Sequence, residues 1–248
     1  AVAWQAKAHH IGSAFSIVDL LVALYFRVLR IDPKLPGAPD RDRFLLSKGH
    51  ACLAWYAALS LRGFFSREEL LRNYGTDGGT LGLHPDAGAM PGVEVSSGSL
   101  GHGLSIGAGL SLAAKLDGLP YRTYVMIGDG ECNEGSIWEA ALFAAHHQLD
   151  NLVAIIDYNR WQSFGRTDAV MSLDPLPEKW RTFGWESIAI DGHNFREIIA
   201  AFDHAQSHPG KPTIIIAHTR KGKGWEKLED TLESHYLLPT EDDLKSLP

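Results

Sequence analysis

The spacing of apolar and polar positions divides the chain into two halves of different regularity. From about residue 120 onward, short apolar runs alternate with longer segments of helical period. Residues 124–127, 152–157, 187–190 and 213–217 read as buried strands. Residues 134–148 and 196–207 repeat their apolar positions at helical spacing, as do 16–29, 48–62 and 101–116 further upstream. The second half therefore runs strand, helix, strand, long loop, strand, helix, strand. That order predicts an α/β fold, a parallel sheet flanked by helices, as a single domain over residues 1–248. Right-handed crossovers bring the carboxyl ends of such strands to one edge, where ligands bind.

The first half is less regular and places glycine beside histidine in several loops. His10-Ile11-Gly12, Gly49-His50 and Gly101-His102-Gly103 are examples, in a chain that holds 12 histidines. Long loops inside a compact domain are usually functional or disordered, and these stand too close to helix starts, with too little charge, to read as disordered. The polar segment from Thr219 to the end is expected to wrap a surface or meet a partner.

Composition narrows the classes. With 248 residues, 45% hydrophobic and 21% charged, the chain reads as a soluble globular protein able to bury a core without staples. A net charge of −7 argues against nucleic-acid binding, which usually needs a basic face. No apolar run approaches the ~20 residues that cross a bilayer, so no membrane span is expected. The two cysteines, Cys52 and Cys132, have no metal-site or redox spacing. They fit a reducing compartment, and a cytoplasmic location is the expectation.

Candidate chemistry begins where the 124–127 strand runs into Gly128-Asp129-Gly130-Glu131. Glycine on both sides of Asp129 permits a tight turn and close approach of a ligand. Taken alone, Gly-Asp-Gly also suits a plain strand-to-helix turn. Asn159, however, stands thirty residues after Asp129, just past the next apolar run. One crossover then delivers a carboxylate and an amide oxygen to the same edge. Hard oxygen donors of this kind suit magnesium or calcium, with diphosphate oxygens completing the shell. A helix starting near Glu134 can face the same anion with its N-terminus. The G-x-G-x-x-G turn of a nicotinamide site is absent.

Gly-Asp-Gly followed about thirty residues later by Asn resembles the thiamine diphosphate motif, and further motifs resemble transketolase in order along nearly the whole chain. They are "HHIGSAFSIVDLL", "DRFLLSKGHA", "GLHPD", "VEVSSGSLGHGLSIGAGLSLAAKLDG" and, near the end, "AHTRKGKG" with "SHYLLP". The resemblance implies a thiamine-diphosphate-binding fold, its diphosphate domain. It implies that Asp129, Asn159 and the carbonyl of Trp161 hold the metal, and that Gly128, Gly130, Glu131, Gly98 and Ser99 line the cofactor. Leu100 would prop the cofactor in its bent form. His10 and His84 would face substrate hydroxyls. His50 would contact the diphosphate or the reacting oxygen, His235 would contact the diphosphate, and Glu134 would join a proton network across an interface. Histidine suits these tasks because its pKa lies near the operating pH. Two departures stand out: His102 where the family often has Gln, and Ser163 where it often has an aliphatic residue.

Transketolase-like enzymes place the cofactor between two domains, and the second supplies a glutamate to the aminopyrimidine ring. The chain ends without that domain. The resemblance therefore implies the diphosphate subunit of a split transketolase, expected to act on sugars or sugar phosphates with a C-terminal, pyrimidine-domain subunit, as α2β2. A piece of a longer enzyme remains the alternative. Two other functions stay open. One is a thiamine-dependent 2-oxoacid decarboxylase or dehydrogenase subunit, and the other is a cofactor-binding subunit without catalysis. "LSKGH" and "GLHPD" resemble ketose handling and count against the first. Retention of Asp129, Asn159 and the early histidines counts against the second.

Overall fold

A computed structural model describes residues 1–246. Leu247 and Pro248, the last two residues of the expected domain, lie outside the described residues. Five strands form one parallel sheet: β1 (Arg43–Leu46), β2 (Thr123–Gly128), β3 (Leu152–Tyr158), β4 (Glu186–Asp191) and β5 (Thr213–His218). Their order is β1-β2-β3-β5-β4. β2, β3 and β5 are buried almost throughout, which is why they read as continuous apolar runs rather than as alternating patterns.

The pleat sends alternate residues to opposite faces. Tyr124, Met126, Val153, Ile155, Ile215 and Ala217 enter one core with the Cys52–Arg62 helix, the Val18–Ala23 helix and the Phe195–Ser207 helix. Val125, Ile127, Ala154, Ile156, Ile214 and Ile216 enter a second core with the Gly103–Leu116 and Gly135–His146 helices and with Trp180 and Trp185. All three predicted features of the second half, strands, crossover helices and parallel pairing, are present.

The first half differs from expectation at several points. β1 has no counterpart among the expected strands: only four residues long, it extends the sheet beside β2 in register with Thr123–Met126. The helix expected over 16–29 is broken. It starts earlier, at Ile11–Phe15, restarts at Val18–Ala23, and ends in a wider π turn at Leu24–Val28. Ser16 explains the break, because its hydroxyl is drawn inward to Asp157 Oδ2 at 2.7 Å. The expected surface tail folds back on its own chain. Gly222 donates its N–H to the Gly12 carbonyl at 2.9 Å, and Trp225 and Leu228 bury against Ile11. Among the described residues no helix is long and apolar enough to cross a membrane.

Two glycines of the Gly103–Leu116 helix make the packing testable. A Cβ on Gly107 would strike Val125 Cγ2 of β2, whereas one on Gly109 meets nothing. Gly107→Ala is therefore expected to destabilise by about 1–3 kcal/mol through overpacking. Gly109→Ala should be neutral or stabilising by up to about 1 kcal/mol, since alanine is the better helix former. Chemical denaturation of both variants checks this, and equal effects would contradict the helix–sheet contact.

Candidate active site

The carboxyl ends of β1, β2 and β3 converge on a cavity of about 430 Å³. Its floor is organised by one carboxylate. Asp157, fully buried in β3, accepts from Lys48 Nζ, Thr219 Oγ1, Ser16 Oγ and Asn159 Nδ2. Burial alone would raise its pKa, but the Lys48 charge and these hydrogen bonds together hold it below the ordinary carboxylate value. The bond from Asn159 Nδ2, at 2.8 Å, fixes which way the amide faces. Its Oδ1 is left on the opposite side, accepting the Trp161 N–H at 3.0 Å.

Asp129 closes the β2 turn beside it. Oδ1 accepts the Gly130 N–H at 2.8 Å, and Oδ2 accepts the Arg160 N–H at 2.7 Å and the Thr167 hydroxyl at 2.9 Å. Arg160 is left-handed, with φ +67°, and that turn aims its N–H at the carboxylate. A carboxylate has about four lone-pair sites, so these bonds leave room for a cation. Burial first, then the Asp157 charge, pushes the Asp129 pKa up to about 6, against the pull of its hydrogen bonds. A cation would relieve the same penalty. Among the described residues no group of three His, Cys, Asp or Glu side chains is placed to hold a metal.

Glu131 plays a scaffolding part. Oε1 accepts from Gly101 N–H and Ser47 Oγ, and Oε2 from Gly128 N–H. One buried carboxylate thus ties together the loops after β1, after β2 and before the Gly103–Leu116 helix. The helix expected to begin at Glu134 begins at Gly135, after a short 3₁₀ turn at Gly130–Asn133.

The histidines gather on the opposite wall. The His10 ring centroid lies 4.6 Å from that of His235 and 5.3 Å from that of His50. His10 is itself left-handed, with φ +65°. Burial first, then neighbouring positive groups, depresses His10 to about 4 and His235 to about 3, and holds His50 well below its ordinary value. The cluster is neutral at pH 7. Lys221, buried and lowered to about 8 by burial and then by Lys48, lies 3.1 Å from His235 Nδ1. An ammonium only donates, so Nδ1 accepts and Nε2 carries the ring proton. His10 Nδ1 is buried without a hydrogen-bond partner among the described residues. Such an orphan in a polar cavity fits a ligand that supplies the missing partner.

His84, Gly98, Leu100 and Glu134 line the same cavity. A Cβ on Gly98 would sit 2.8 Å from His84 Cδ2, so glycine there lets the two loops close. Ser99 does not line the cavity; it is exposed, and its carbonyl and that of Leu100 each lie 3.2 Å from His102 Nδ1. Of the residues expected at the site, all but Ser99 surround one space. Residues not singled out from sequence include Lys48, Asp157 and Lys221. Lys48 and Asp157 each had a signal, a lone charge closing an otherwise apolar run, whereas Lys221 stands among Arg220 and Lys223 with none. Trp161 also gains a side-chain account, its indole donating to Asp230 Oδ1 at 2.7 Å.

A parallel α/β sheet whose carboxyl edge combines an acid–amide oxygen pair with buried lysines and neutral histidines defines an anionic-cofactor domain. Comparison with known proteins identifies which. The thiamine diphosphate binding domain of transketolase matches residues 1–247. The 6-deoxy-6-sulfo-D-fructose transketolase subunit of a Clostridium species is 47% identical over 96% of this chain and 86% of its own length. An apulose-4-phosphate transketolase subunit of Phocaeicola vulgatus is 45% identical over 96% of this chain and 84% of its own. The solved transketolase of Leishmania mexicana superposes with a TM-score of 0.91 at 30% identity, covering 98% of this chain and 38% of that one. The chain belongs to the transketolase family and carries its thiamine-diphosphate-binding domain.

The neutral histidines predict an acid response. An unfolded histidine takes up a proton near 6.5, while folded His10 and His235 resist it down to about 4 and about 3. As pH falls from about 6.5, the unfolded state binds protons that the folded state refuses, and stability is lost. Asp129 acts in the opposite sense, since its raised pKa lets the folded state keep a proton up to about 6. The test is therefore a difference between chains. His10→Asn with His235→Asn should lose less thermal stability than wild type between about pH 7 and about pH 5. Identical losses would contradict the neutral assignment.

Proposed function

We propose that this chain holds the diphosphate and metal end of thiamine diphosphate in a two-chain transketolase. The assembled enzyme would move a two-carbon ketol unit from a ketose to an aldose. The observation that supports this reading is that Asp129, Asn159, His10, His50, His84 and His235 all line a single cavity. Thiamine diphosphate, when bound, supplies the carbon nucleophile and electron sink for breaking the ketose carbon–carbon bond.

The chain's own residues bind, orient and handle protons. Asp129, the Asn159 amide oxygen and the Trp161 carbonyl would hold magnesium or calcium, the hard cations that such oxygens suit. Lys48 and Lys221 supply positive charge beneath the diphosphate, and His235 donates from Nε2. His10 and His84 face the substrate hydroxyls and handle protons there. His50 stands between these groups and can serve either ligand. Glu134, exposed at the cavity side, is free to meet a partner's proton network. Leu100 supports the ring system from the rim.

A pyrimidine-domain subunit completes the site in this reading, in an α2β2 assembly. The free, buried thiols Cys52 and Cys132 support a reducing, cytoplasmic setting. Both relatives named above act, by their names, on sugars bearing an anionic group, a sulfonate or a phosphate. An anionic ketose donor is accordingly the substrate class proposed.

Two variants test the division of labour. Asp129→Ala should abolish magnesium-dependent cofactor binding in calorimetry, and unchanged affinity would remove the metal assignment. His84→Ala, assayed with the partner subunit for ketol transfer from xylulose 5-phosphate to ribose 5-phosphate, should slow turnover about 10²–10⁴-fold. Cofactor affinity should change little, and equal loss of both would misplace His84. Cofactor binding with turnover only on 2-oxoacids would redirect the chain to the decarboxylase class. Cofactor binding with no turnover on either would favour a non-catalytic subunit.

A further inference from the structure

The loop after β3, residues 159–166, carries both Asn159 and the Trp161 carbonyl, and two side chains of the C-terminal segment grip it. Trp161 Nε1 donates to Asp230 Oδ1 at 2.7 Å. The Tyr236 hydroxyl donates to the Ser163 carbonyl at 2.6 Å. Asp230 and Tyr236 stand on either side of His235 in sequence. Asp230 is left-handed, with φ +58°, and its N–H donates to the Lys221 carbonyl at 2.8 Å. Lys221 in turn meets His235. The Tyr236 ring lies edge-on to His235 at 4.8 Å, and its carbonyl takes His9 Nδ1 at 2.8 Å. The His10 N–H donates to the His235 carbonyl at 3.2 Å. One short segment therefore holds the loop on one wall of the cavity and the histidine cluster on the other.

We propose that Asp230 and Tyr236 are positioning residues, a clasp that sets the distance between the Trp161 carbonyl and His235. The proposal rests on the functional reading above, in which those two groups meet the metal and the diphosphate of one ligand. A ligand that bridges two walls binds best when their spacing is fixed beforehand, because less ordering is left to binding. Neither residue touches the reacting atoms. Both act through the groups they hold. Phe164, the large apolar residue of the loop, is 84% exposed and contributes little burial to hold the loop in place, which gives the clasp a reason.

The test separates the clasp from the fold and from the functional reading. Tyr236→Phe removes only a hydroxyl. Asp230→Gly removes the acceptor while tolerating the left-handed backbone, and Asp230→Asn restores an acceptor at the same place. Hydrogen exchange on the free chain should show faster exchange at residues 160–167 in Tyr236→Phe and Asp230→Gly. Amides of β2 and β3 should be unchanged, and Asp230→Asn should match wild type. With the partner subunit, the same two variants should bind thiamine diphosphate with magnesium about five- to tenfold more weakly, the size of one lost hydrogen bond. Their kcat at saturating cofactor should equal that of wild type. Unchanged loop exchange overturns the clasp, and so does a loosened loop with unchanged affinity. A wild-type complex that binds no cofactor overturns the functional reading instead, and is told apart because the exchange difference between the chains persists.

Discussion

Everything at the carboxyl edge of the sheet depends on a buried charge being satisfied. Asp157 lies at the centre of the fold with no water to solvate it, and an unpaired carboxylate there would cost several kcal/mol. Lys48 pairs with it, and Ser16, Thr219 and Asn159 fill its remaining acceptor sites. Those partners come from four different segments: the break in the first helix, the turn after β1, the end of β5 and the loop after β3. One charge therefore brings the His10 loop, the His50 loop and the loop that carries Asn159 to a common point. The same pair breaks the helix at Ser16, which is a local cost accepted for a global arrangement.

Glu131 repeats the device on the β2 side, tying the turns at Gly101, Gly128 and Ser47. Asp129 stands at the same edge, its pKa pushed up to about 6 by burial first and then by the Asp157 charge. The opposite wall is arranged inversely. Burial first, and neighbouring basic groups after it, keeps His10 and His235 neutral, and neutral imidazole can both give and take a proton. A cavity with a cation-seeking wall and an anion-seeking wall suits a metal-bound diphosphate.

The sequence is most legible where burial is two-sided. β2, β3 and β5 stand as unbroken apolar runs because helices cover both sheet faces. β1 is hidden because four residues, Arg43–Leu46, carry too short a run to separate from the loop around them. The Arg67–Asn73 helix is also absent from the expected elements, although Ser66 and Glu69 form a capping box that spacing alone can show. At the site, Asp129, Asn159 and the histidines are readable as motif positions. The clasp of Trp161, Ser163, Asp230 and Tyr236 is not, since its members are up to about seventy residues apart and meet only through the fold. Ser99 is misplaced by sequence because motif adjacency does not say which way an exposed side chain points.

The central claim is that this chain offers one metal–diphosphate site between those two walls. A crystal structure of the chain with its partner subunit, thiamine diphosphate and magnesium tests it most directly. The account predicts the metal at about 2.0–2.1 Å from an Asp129 oxygen, Asn159 Oδ1 and the Trp161 carbonyl, with diphosphate oxygens completing the octahedron. His235 should donate to the diphosphate from Nε2. A metal bound elsewhere, or a cofactor seated away from the His10, His50 and His235 cluster, would contradict it.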